Sequence, residues 1–89
     1  MKTKQQKQSE ALARRERDAS EWAEYATFYG KQAILDSKNA TNSVSEEERS
    51  VWEDALALSK RGAEIYGRKL ASAIRDCENL RRKLGITDA

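Results

Sequence analysis

From Trp52 to Leu84, apolar or small residues return alternately after four and three positions, and the chain has no proline to interrupt them. This spacing puts Leu56, Ala63, Leu70, Cys77 and Leu84 on one line of a helix and Trp52, Ser59, Tyr66, Ala73 and Leu80 on the line beside it. A seam this long commits the segment to one extended helix of about 58 Å over residues 45–84. It also demands a second surface to cover it.

The stretch Ser20–Leu35 supplies that surface. Four aromatic residues, Trp22, Tyr25, Phe28 and Tyr29, fall close together there. Leu12, Ala19, Ala26 and Ala33 recur every seven residues, with Trp22 and Tyr29 interleaved. The pattern predicts a first helix over residues 9–37, with Gly30 inside it. Gly30 costs about 1 kcal/mol relative to alanine and marks either a kink or a close helix approach.

The only clear turn signal is Lys38-Asn39-Ala40-Thr41-Asn42-Ser43, so residues 38–44 are expected to reverse the chain. Ser45 followed by Glu48 reads as a capping box, and Glu46, Glu47 and Glu48 suit the positive end of a helix. At the other end, Arg81, Arg82 and Lys83 suit the negative end. Gly85 stands where a left-handed cap is expected, with Ile86 placed to fold back on the last turn.

A short connection makes two such helices antiparallel neighbours. The expected fold is therefore all-α: an antiparallel two-helix hairpin, coiled-coil-like, in residues 9–89, preceded by a basic disordered tail in residues 1–8. With the turn near Ala40, Tyr29 should lie level with Trp52–Leu56, Trp22 with Ser59–Ala63, and Leu12 with Leu70. Beyond that level Cys77, Leu80, Leu84 and Ile86 would face only the polar tail, leaving an apolar overhang for another chain to cover.

A second apolar row flanks the seam. Phe28 and Leu35 on the first arm, and Val51, Leu58 and Ile65 on the second, repeat every seven residues, widened by Tyr25, Ala55 and Gly62. Two helices alone cannot bury both rows, so assembly of two hairpins into a four-helix bundle is expected. The expected interface comprises Tyr25, Phe28, Leu35, Val51, Leu58, Ile65, Cys77, Leu80, Leu84 and Ile86.

Catalytic and cofactor signatures are weak. Gly62-Ala63-Glu64-Ile65-Tyr66-Gly67-Arg68-Lys69 superficially resembles a phosphate loop, but it lacks the terminal Lys-Ser/Thr pair and sits within the heptad run. Cys77 is the only cysteine and there is no histidine, so neither an internal disulfide nor a protein-only zinc site is expected, and the thiol has no histidine to activate it. A small buried side chain is the simpler reading of Cys77. Asn39-Ala40-Thr41 matches a glycosylation pattern that recurs by chance. No enzyme activity, metal or cofactor is expected. Neither a signal peptide nor a membrane anchor is expected from the polar start MKTKQQKQSE, and a cytoplasmic setting follows as the default.

Charge is more informative than the net value of +2. Residues 1–17 carry Lys2, Lys4, Lys7, Arg14, Arg15 and Arg17 against Glu10 and Glu16, or +4. Residues 68–84 carry Arg68, Lys69, Arg75, Arg81, Arg82 and Lys83 against Asp76 and Glu78, also +4. Antiparallel arms bring these segments together, so the molecule is basic at its open end and acidic at its turn. Basic residues opening the first helix oppose its dipole, which points to a binding role.

Two functional expectations follow. One is a non-catalytic protein-interaction module, a small accessory or inhibitor protein of the phage or mobile-element kind, that forms a homodimer and occludes or bridges an unknown protein partner. The other is a hairpin dimer that binds nucleic acid through its basic end. Candidate contacts to phosphate or an acidic partner are Lys7, Arg14, Arg15, Arg17, Arg75, Arg81, Arg82 and Lys83. The aromatics lie on the apolar face, away from these cations, so base stacking is not indicated.

Overall fold

The computed structural model describes residues 1–86. The chain is two α-helices of 38 residues each, α1 (Lys4–Thr41) and α2 (Glu46–Lys83), packed antiparallel along their length. The molecule measures 64 × 30 × 13 Å. Residues 87–89 of the expected hairpin domain lie outside those described.

Both ends of α1 differ from expectation. Residues 1–8 are not a disordered tail throughout, because helix begins at Lys4. The cause is a capping box: the Thr3 hydroxyl accepts from the Gln6 amide at 3.1 Å, and the Gln6 side chain accepts from the Thr3 amide at 2.9 Å. At the far end the helix continues through the expected turn residues to Thr41. Its last carbonyls are met by Thr41 Oγ1, which donates to Ser37 O, and by Ser43 Oγ, which donates to Asn39 O at 2.7 Å. The reversal is confined to residues 42–45, and the Asn39-Ala40-Thr41 sequon lies in the last turn of α1. Gly30 does not break the helix.

The start and end of α2 follow the sequence closely. Ser45 Oγ accepts from the Glu48 amide at 3.1 Å, forming the N-cap half of the expected box. Gly85 adopts φ 75°, the Ile86 amide donates to Arg81 O, and the Gly85 amide donates to Arg82 O. Those bonds complete a Schellman motif and satisfy two orphan carbonyls.

The seam positions are those of the heptad pattern, but the register is not. Tyr29 stacks on Tyr66 and presses on Gly62, Asp36 bonds to Ser59, and Arg15 bonds to Asp76. Each aromatic and each polar seam residue thus meets α2 further from the turn than expected. Two causes combine. α1 runs on past residue 37, and every helical side chain leans toward its own N-terminus, which on antiparallel arms displaces partners in opposite directions.

This shift, with the early start of α1, removes the apolar overhang. Arg15 opposite Asp76 carries Leu12 to the level of Cys77 and Leu80, and Leu12 is buried. Cys77 is 3% exposed within its own hairpin, so it offers no surface to another chain. Leu80 and Leu84 are half-buried, and Lys4, Gln5 and Gln8 of α1 line a groove with Leu84. Of the expected overhang, only Ile86 is exposed.

Candidate functional site: a two-part face of the hairpin

The seam is more polar than a coiled-coil core usually is. Asp36 is 1% exposed, and its carboxylate accepts from Ser59 Oγ at 2.6 Å and from Gln32 Nε2 at 3.0 Å. No cation pairs with it among the described residues. Toward the open end, Arg15 Nε donates to Asp76 Oδ2 and Nη1 donates to Asp18 Oδ2, both at 3.0 Å, and Nη2 also reaches Asp76. The hydrogen bonds to Asp18 and then Asp76 push Arg15 above its ordinary value, so it remains a cation at any physiological pH. Asp36 and Arg15 lie on the same heptad line as Trp22 and Tyr29.

Between these polar ties sits an aromatic cluster. Trp22, Tyr25 and Tyr29 each approach Tyr66, with ring centroids 5.6, 5.1 and 5.4 Å apart, and Tyr29 is nearly parallel to Tyr66 at 8°. Gly62 makes the cluster possible, because a Cβ there would lie 2.6 Å from the Tyr29 ring. Lys69 Nζ lies 4.6 Å above the Trp22 ring, a cation–π contact. The glycine-rich stretch of α2 is thus continuous helix, and its first glycine accommodates a ring.

Outside the seam, one side of the hairpin carries the apolar rows and part of the cationic set singled out by the sequence, whereas Arg81, beside Glu16, lies on the other edge of the seam. Ala11, Arg14, Asp76, Asn79, Leu80 and Lys83 line a shared 330 Å³ groove between the arms. Phe28 and Leu35 lie whole heptads along α1 from Arg14; Ile65, Leu58 and Val51 lie whole heptads along α2 from Asn79. They therefore continue this same side toward the turn. Tyr25, Phe28, Leu35, Val51, Leu58 and Ile65 are all exposed, Leu58 to 71%. One side is thus apolar in its turn half and carries Arg14 and Lys83 in its open half.

Not every candidate cation is free. Arg15 is held as described, and Arg81 stands 4.0 Å from Glu16. Lys7, Arg14, Arg17, Arg75, Arg82 and Lys83 form no ion pair among the described residues, and Arg82 donates to Asn79. Burial pushes the Cys77 thiol above its ordinary value, partly opposed by Arg81, which keeps it protonated and a poor nucleophile.

Among the described residues no cluster of histidine, cysteine and carboxylate side chains is placed to hold a metal. No described helix is long and apolar enough to cross a membrane. Compared with known protein families, with curated proteins and with solved structures, the chain matches none.

Proposed function

We propose that this chain is a non-catalytic interaction protein whose hairpins assemble through the apolar half-face and then occlude or bridge a macromolecular partner. The observation that carries this reading is the pair of exposed apolar rows, Phe28 with Leu35 and Val51 with Leu58 and Ile65, on one side of a hairpin whose own seam is already filled. Contiguous exposed apolar surface of this kind marks an interaction site. A small accessory or inhibitor protein of the phage or mobile-element kind fits the size of the chain and its exposed apolar rows. Light scattering from micromolar to millimolar concentration tests it. A mass above the monomer is expected, returning to the monomer with helicity retained in the Phe28→Glu, Leu35→Glu chain; a monomer throughout the wild-type series would refute assembly.

The unpaired cations at the open end favour a second role, binding nucleic-acid phosphates. Affinity for duplex or single-stranded probes should then fall linearly with salt on logarithmic axes, and the slope should shrink when Lys7, Arg14, Arg82 and Lys83 are changed to Gln. Binding that ignores salt would refute phosphate contacts by these cations.

A further inference from the structure

We propose that the open end of the hairpin carries a site for the phosphodiester backbone of a nucleic-acid duplex, formed by two adjoining grooves that Lys83 joins. This inference rests on the phosphate-binding reading above and adds the site, its supporting residue and the form of the ligand. Lys4 and Lys83 line a 530 Å³ groove with Gln5, Gln8 and Leu84. Arg14 and Lys83 line the 330 Å³ groove beside it. Lys4, Arg14 and Lys83 are exposed and form no ion pair among the described residues. No acidic residue stands in the first turn of α1 to offset them.

Arg15 keeps these cations unpaired. Asp76 is the one acidic residue lining either groove, and Arg15 Nε donates to it at 3.0 Å. Nη1 of the same guanidinium donates to Asp18, also at 3.0 Å. Arg15 thus cancels two carboxylates that would otherwise compete with a bound anion for Arg14 and Lys83. Length and chemistry choose the ligand. Lys4 and Arg14 stand ten residues apart on α1, about 15 Å. One strand of a duplex offers a charge about every 3.4 Å, so about four phosphates span that distance. An extended acidic peptide turns alternate side chains away, so its carboxylates face one way only about every 6.6 Å and about half as many fit. Gln5, Gln8 and Asn79 add neutral donors of the kind that bond phosphate oxygens. No aromatic residue lines either groove, so the stacking that favours a single strand is missing. The backbone is held by charge, and its sequence is not read.

Two variants that remove the same charge test the site. One changes Lys4, Arg14 and Lys83 to Gln. The other changes Arg17, Arg68 and Arg75 to Gln, which stand exposed on the outer line of each helix, opposite the seam. Fluorescence anisotropy with a short DNA duplex is read at about 0.1 M salt, where charges more than about 10 Å away are largely screened. The groove variant should bind at least about tenfold more weakly, and the outer variant less than about threefold. The salt slope of the groove variant should shrink by about 2.7, or about 0.9 for each lost contact. Equal losses in the two variants would show that diffuse charge alone binds, which overturns the site and leaves phosphate binding intact. A wild-type chain that binds no duplex refutes both. Displacement of the duplex by polyglutamate at equal charge would assign the grooves to an acidic protein, and tighter binding of a single strand would also defeat the duplex assignment. A second arm reads Arg15. Arg15→Gln should weaken binding by about fivefold, more than Arg17→Gln, its equal in charge. Adding Asp18→Asn and Asp76→Asn should restore it. If that triple variant stays weak, or Arg15→Gln binds as the wild type does, Arg15 does not act by holding the two carboxylates.

Discussion

The two halves of this hairpin are built in opposite senses. In the open half the buried side chains are apolar, with Leu12, Ala73 and Cys77 enclosed, and the surface is charged. In the turn half the buried side chains include Asp36, Ser43 and Ser59, whereas Phe28, Leu35, Val51 and Leu58 stand in solvent. A chain folding only to satisfy itself would exchange these sets. The difference separates two ways of building: the open half stabilises the hairpin by burial, and the turn half uses hydrogen bonds to hold its arms in register while its apolar area stays exposed.

The largest test of that division compares two leucines. Leu12→Ala should cost about 3 kcal/mol in denaturant unfolding, since a buried leucine leaves a cavity. Leu58→Ala should stay within about 0.5 kcal/mol when measured at dilute concentration, where the hairpin is alone. If the two costs are equal, the halves are not built differently. Ser59→Ala should come next, at about 2 kcal/mol, because it strips a donor from a buried carboxylate. Adding Asp36→Leu to that variant should recover most of the loss, since an apolar pair of similar shape leaves nothing unsatisfied. The smallest effect separates two glycines of α2. Gly67 has no neighbour within 4 Å of a built Cβ, so Gly67→Ala should stabilise by about 1 kcal/mol, whereas Gly62→Ala collides with the Tyr29 ring and should destabilise. Thermal melts of both chains decide the sign.

The seam was readable because its period survives single exceptions such as Ser59, and the cap at Gly85 because few residues adopt its conformation. What escaped had physical causes. Thr3 and Gln6 form a capping box with the usual spacing, yet no apolar residue follows within the first turns to advertise a helix. Asp36 and Arg15 occupy seam positions, but a search for apolar periodicity passes over polar residues that find partners only in three dimensions. The level at which the arms meet depends on the lean of side chains as much as on the turn, so Tyr29 was placed opposite the wrong stretch of α2. The candidate face was legible as two rows and a charge pattern. That it is one side of the molecule became visible only with Arg14 and Asn79 in the same groove.

The four-residue reversal at 42–45 also orders events in time. Contacts between the arms close ever larger loops with distance from the turn: Asp36 to Ser59 spans 23 residues, Arg15 to Asp76 spans 61. Each doubling of a loop costs roughly 0.6 kcal/mol of chain entropy, so the arms should zip from the turn outward. The buried carboxylate and its serine then engage before the leucine and cysteine core of the open half has formed. A register slip would be rejected there, while little has yet been built on it.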